Sequence, residues 1–166
     1  MSKTAATSDL LQPKFAVVGA KEREKNHTVL QPIMTDLIAY GANVKQLHWN
    51  IFGPHFRSIH LQLDEIYADT LEAIDTVAER ITQMGHSPNG TVAFVGENTE
   101  IKDVPEGFIK DTEVLLLAGQ RTHELIGLIR SRMAEIEDVD TVTADILHAI
   151  VEKFEKHHWM IQAQRA

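Results

Sequence analysis

From Phe56 to Met84 the chain carries two separate lines of side chains at helical spacing, and this constrains its fold more than any other feature. Ile59, Leu63, Ile66, Ile74, Val77, Ile81 and Met84 form the first line, the apolar stripe of a helix with one face in a core. Rotated by about 100° runs a second line of His60, Asp64, Tyr67, Leu71, Asp75, Ala78 and Glu79. Its middle is apolar, and each end carries a polar pair four residues apart. A solvated face rarely sets Tyr67, Leu71 and Ala78 between such pairs. The helix is therefore expected to be covered on a second side, by a partner chain.

The remaining segments supply the rest of a bundle. Leu30, Ile33, Leu37, Val44, Leu47 and Ile51 make a helical stripe that begins near Thr28, where Pro32 is tolerable only close to the first turn. The "FGP" that follows ends it. The second helix spans about Phe56 to Met84 and closes on Gly85. "HSPNGTVAFVGENTEIKDVPEG" is a crossover with room for one short helix or strand. A third helix is predicted from about Phe108 to Ile136 and a fourth from Thr141 to Gln162. Residues 1–27 read as a tail and residues 28–166 as one domain. Four long helices with one long middle connection predict an all-α, ferritin-like four-helix bundle, its crossover between helices two and three.

Composition narrows the chemistry. With 166 residues, 43% of them hydrophobic, the chain can bury a single core. The absence of cysteine excludes disulfides, thiolate metal sites and thiol peroxidase chemistry. No apolar run approaches the ~20 residues of a membrane span. "FAVVGA" is too short for a signal-peptide core and is followed at once by "KEREK", so a cytoplasmic protein is expected, with "NGT" at Asn89 a turn. A net charge of −8 weighs against a surface that grips nucleic acid all over.

Geometry then restricts the polar pairs. His60 sits beside Asp64 and Asp75 beside Glu79, because residues four apart share a helix face. The pairs are eleven residues apart, close to three whole turns, so they share that face at a rise of about 16 Å. Metal–ligand bonds are only about 2 Å long. One ion cannot use both pairs of one straight helix. If the same helix of a second subunit packs antiparallel, its Asp75 and Glu79 lie opposite His60 and Asp64, and symmetry creates two identical sites. His48 can return through the Gly-Pro turn beside His60. Singly, these residues match commoner features: a surface ion pair, a hydrogen-bonded core histidine, or solvated acids with Glu79 beside Arg80. In phase and closed by a two-fold axis, they point to the half-sites of a shared metal centre.

With "KQLHWN", the His60-x-x-x-Asp64 pair, Asp75-x-x-x-Glu79-Arg80, "TADIL" and "EKHHWMIQA", the chain resembles the Dps family of mini-ferritins from about Thr28 to Gln162. The resemblance implies a hollow homododecamer of four-helix subunits. It implies a ferroxidase site at each dimer interface, where His48, His60 and Asp64 of one subunit meet Asp75 and Glu79 of the other. Members oxidise Fe(II), with hydrogen peroxide in preference to oxygen, and store the Fe(III) mineral inside. Trp49 matches a family tryptophan beside the site and equally suits a packing aromatic. The ligand types fit: carboxylates stabilise Fe(III), and neutral imidazole accepts Fe(II). Zn(II) or Co(II) would compete. Each imidazole also needs an acceptor for its other N–H, which no sequence pattern names.

Other signals are weaker. Glu155-x-x-His158 and Glu24-x-x-His27 mimic the intrasubunit di-iron motif of ordinary ferritins, but the second helix has no such motif, and His158 is read as an interface or surface residue. DNA is a conceivable partner through Lys3, Lys14, Lys21, Arg23 and Lys25, although Asp9, Glu22 and Glu24 leave the tail only weakly basic. Glu137, Asp138, Asp140 and Asp145 could line a pore for iron, with Asp145 in "TADIL" the best single candidate; acids near a helix N-terminus also suit its dipole. The competing functions are a nucleoid-compacting DNA binder and a metal-dependent hydrolase.

Overall fold

The computed structural model describes residues 18–165, and Lys3, Asp9 and Lys14 of the expected tail lie outside them. Four long helices form the bundle: α1 (Ala20–Asn50), α2 (Phe56–Gln83), α4 (Asp111–Met133) and α5 (Thr141–Ala163). A short helix, α3 (Val92–Asn98), sits in the crossover. Two two-residue strands, β1 (Ile51–Phe52) and β2 (Ile109–Lys110), pair in parallel, Ile51 opposite Ile109. None of the described helices is long and apolar enough to cross a membrane.

The first helix is longer than its apolar stripe. It starts at Ala20, eight residues before Thr28, because Asn26 is buried and its side chain meets Thr143 of α5. Pro32 is consequently well inside α1 and not in its first turn, which removes the donor for the carbonyl of Thr28. The third long helix starts at Asp111 instead of Phe108, since Ile109 and Lys110 are drawn into the strand pair. The ends of α2 and α5 fall within one residue of expectation. Gly85, at φ 81°, adopts the left-handed conformation that stops α2. Asp140 caps α5 by accepting from the backbone N–H groups of Val142 and Thr143.

The first line of α2 is the core line. Ile59, Leu63, Ile66, Val77, Ile81 and Met84 are buried, with Thr70 and Ala73 filling the gap between Ile66 and Ile74. They pack against α1, whose Leu30, Ile33 and Leu37 have no exposed surface; α4 and α5 close the core with Leu125, Ile129, Leu147 and Phe154. The second line of α2 faces outward in the single chain. Leu71 is 48% exposed, and Asp75 and Glu79 are exposed beside it.

Candidate metal centre

The end of α1 and the start of α2 converge through a turn only five residues long. Gly53, at φ 135°, reverses the chain so tightly that a Cβ there would strike the Asp111 carboxylate. Asp111 accepts from the backbone N–H and the imidazole of His55, which locks the turn against the start of α4. His48 and His60 are thereby brought face to face, their rings 3.6 Å apart and inclined by 24°. One ligand atom from each of His48, His60 and Asp64 lies within 4.8 Å of the others. Asp64 follows from helix spacing; His48 comes by way of the turn.

The imidazoles orient one another. Nδ1 of His48 is 3.1 Å from the carbonyl of His60, and Nδ1 of His60 is 3.1 Å from the carbonyl of His48. A carbonyl can only accept, so each Nδ1 carries a hydrogen, which makes Nε2 the nitrogen with a lone pair to offer when the ring is neutral. These reciprocal bonds are the acceptors that a metal-binding imidazole requires. Phe56 packs against the His60 ring at 4.9 Å. Burial, offset in part by the hydrogen bond to His60 and joined by the nearby charges of His60 and Lys45, pulls the His48 pKa below the ordinary range. His48 is thus held neutral, the form that binds a metal.

Lys45 is the residue that periodicity does not reveal. Its Nζ donates to Oδ1 of Asp64 at 2.8 Å, and this bond chiefly holds the Asp64 carboxyl below its usual range. The ammonium also stands over the rings of Tyr67 at 5.1 Å and Trp49 at 5.9 Å. The only hint in the sequence is that Lys45 precedes His48 by three and Trp49 by four. Trp49 is 66% exposed in the single chain.

Asp75 and Glu79 are not brought to this cluster within the chain. They lie on the exposed face of α2, eleven and fifteen residues beyond Asp64, about three and four turns away. Asp138 and Asp145 are exposed at the start of α5, and the described residues do not draw them together with other acids into a metal-binding group. Glu155 pairs with Arg130, while His158 is half-buried with its ring 5.5 Å from that of His123. Glu155-x-x-His158 is therefore not a chelating pair.

Residues 28–166 match the family model described as a ferritin-like domain. The chain is 36% identical over 117 residues to the "DNA protection during starvation protein" of Brevibacillus brevis, covering 70% of this chain and 78% of that one. It is 29% identical over 152 residues to the "DNA protection during starvation protein 2" of Deinococcus radiodurans. That match covers 87% of this chain but only 60% of the relative's length. Among solved structures, a tetragonal form of Mycobacterium smegmatis Dps superposes with a TM-score of 0.86 at 26% identity, over 92% of this chain and 93% of that one. Dps92 from Deinococcus radiodurans superposes with a TM-score of 0.83 at 28% identity, over 86% and 87%.

Proposed function

The chain belongs to the ferritin-like family and, within it, to the Dps group, and from that premise we propose that it is a ferroxidase and iron-storage protein. Fe(II) is its substrate, hydrogen peroxide its preferred oxidant over oxygen, and a hollow dodecamer the store for the Fe(III) mineral. The observation that carries this reading is the convergence of His48, His60 and Asp64 on one side of a helix. The same helix presents Asp75 and Glu79 to the outside three turns further on. An antiparallel copy of α2 would bring those acids opposite the cluster, completing two symmetric sites with residues from both chains.

The residues divide the work by charge. His48 and His60 offer their Nε2 atoms to Fe(II), oriented by each other's carbonyls. Asp64 and the partner copy's acids supply the negative charge that favours Fe(III) as it forms. Two Fe(II) ions give one electron each, and one peroxide takes both with two protons to become two waters. Drawing both electrons at one centre avoids the one-electron reduction that would release hydroxyl radical. A protein that consumes peroxide and Fe(II) together protects DNA without touching it, which is the sense of protection we adopt from the relatives' names. Direct DNA binding has less behind it. Of the basic residues assigned to the tail, Lys25 is paired with Glu135, and Glu22 and Glu24 are interspersed with Lys21 and Arg23.

Anaerobic Fe(II) binding to the purified protein, followed by peroxide, tests the reading. His60→Ala or Asp75→Asn should slow oxidation tenfold or more while leaving assembly intact. A monomer by light scattering, or unchanged oxidation rates in both variants, refutes it.

A further inference from the structure

At the opposite end of α1 two imidazoles and a carboxylate lie near one another, less closely gathered than His48, His60 and Asp64. The rings of His27 and His86 stack at 4.5 Å, inclined by 16°, and Oε2 of Glu24 is 3.9 Å from Nε2 of His86. His27 and His48 are twenty-one residues apart on α1, which places the two groups about 31 Å from each other along the helix.

The frame around His86 is fixed on both sides. Gly85 donates to the carbonyl of Thr82 and His86 to that of Ile81, the paired bonds of a helix end turned by a left-handed glycine. The residue after such a glycine usually makes an apolar contact back to its helix; here it stacks on an imidazole of α1. Three residues on, Asn89 is clamped to α1, its N–H donating to Gln31 Oε1 and its carbonyl accepting from Gln31 Nε2. His27 and Glu24 share a helix face, one turn apart. Glu24 is mostly solvent-exposed and free to swing inward.

We propose that His27, His86 and Glu24 form a second cation site, distinct from the His48–His60–Asp64 centre, for a divalent transition metal of the Zn(II), Co(II), Ni(II) or Cu(II) type. Two imidazoles and one carboxylate suit these borderline ions and are poor ligands for Ca(II) or Mg(II), which demand oxygen. Stacked rings hold their nitrogen lone pairs in nearly parallel planes, so sharing an ion requires one ring to turn about its Cβ–Cγ bond. His48 and His60 rest in the same posture, closer together. Burial, assisted by the neighbouring His86 and opposed by Glu24, lowers the His27 pKa and keeps that ring in its ligating form at neutral pH. A bound ion would tie the start of α1 to the end of α2.

Equilibrium dialysis of the full chain against Co(II), without oxidant at neutral pH, tests the site. His86→Ala should bind one Co(II) fewer per chain than the parent and oxidise Fe(II) at the parent rate. H60A/D64N should retain one Co(II) per chain that is lost when His86→Ala is added. Glu24→Gln, at an exposed position that folding tolerates, should keep the stoichiometry with affinity about tenfold weaker. Equal Co(II) stoichiometry in the parent and in folded His86→Ala overturns the site. Unchanged affinity in Glu24→Gln overturns its three-ligand form.

Discussion

Replacing Arg80 by Met should destabilise the protein by about 3–5 kcal/mol, because it leaves a buried carboxylate without its countercharge. Arg80 lies next to Glu79 on α2 but points inward. Its Nη2 donates to Oδ2 of Asp140 at 2.8 Å, and its Nε to Oγ1 of Thr143 at 3.0 Å. The Thr143 hydroxyl sits 2.8 Å from Oδ2 of Asp140 and 2.5 Å from Oδ1 of Asn26, so α1, α2 and α5 meet in one network. The Arg80 and Asp140 side chains are 9% and 7% exposed, so solvent screens the pair little. Asp140 is also the cap of α5, and Asp140→Asn keeps an acceptor for those N–H groups while stranding the guanidinium. Each single change should therefore cost a similar amount. The double variant R80M/D140N should cost no more than either one, since it leaves no buried charge unpaired.

For a chain of this size about 1 kcal/mol shifts the melting temperature by roughly 2–4 °C, so either single variant should melt about 6–20 °C below the parent. Helical ellipticity followed at one fixed protein concentration is the assay, because assembly adds its own concentration-dependent stability. The pH dependence has a definite sign. Burial pushes the Asp140 carboxyl up, but the hydrogen bonds from Thr143 and Arg80 and the guanidinium charge outweigh it, and the net pKa is below the usual range. The pair's contribution is thus fully present above the unfolded value of about 3.9 and is lost as pH falls through the lower folded value. As pH falls below about 4, the parent should lose stability toward that of Asp140→Asn, which mimics the protonated carboxyl, while R80M/D140N shows no such loss from this pair. Shifts under about 2 °C for both single variants, or single losses that simply add in the double, would refute the network.

Three further outcomes test other parts of the structure. Tyr40 is fully buried and 2.8 Å from Thr122, whose hydroxyl already donates to the Ala118 carbonyl, so Tyr40 is the donor. Tyr40→Phe should then cost about 1 kcal/mol and Thr122→Val, which strands the phenol O–H, about 2 kcal/mol by chemical denaturation; the reverse order contradicts the donor assignment. Lys45→Met should raise Co(II) affinity at the centre, since the ammonium no longer occupies Asp64, and unchanged affinity in a titration would show that the ion pair does not compete. Finally, a variant lacking His48 and His60 and one lacking Asp75 and Glu79 should each be inactive alone; random co-assembly makes about half the dimers mixed, so about a quarter of all sites regain activity, and mixed cages with no recovery rule out half-sites shared across a two-fold interface.

What could be read from the sequence was what local spacing encodes. The ends of α2 and α5 are set by Gly85 and Asp140, residues whose backbone preferences act on the spot. The starts of α1 and α4 escaped because distant partners set them. Asn26 is helical in a stretch of charged residues through its contact with Thr143, and Ile109 leaves its helix to pair with Ile51. Both are contacts across more than fifty residues, and no apolar period announces either.

The same division runs through the metal-ligand clusters. His60 and Asp64 stand together by helix geometry alone, and the Gly53 turn adds His48. The two carbonyl bonds that aim the imidazoles depend on how the turn closes, and Lys45 depends on which way a flexible side chain falls. His27 and His86 lie farther outside any sequence rule. Fifty-nine residues separate them, on two elements whose meeting is arranged by a helix-stop glycine and a glutamine clamp. Gly85, by its positive φ, both ends α2 and delivers His86 to α1. Helix spacing and one short turn assemble the first cluster, so ligand types counted along the chain locate it; the second depends on where a helix-stop glycine sends the chain, so the same count misses it.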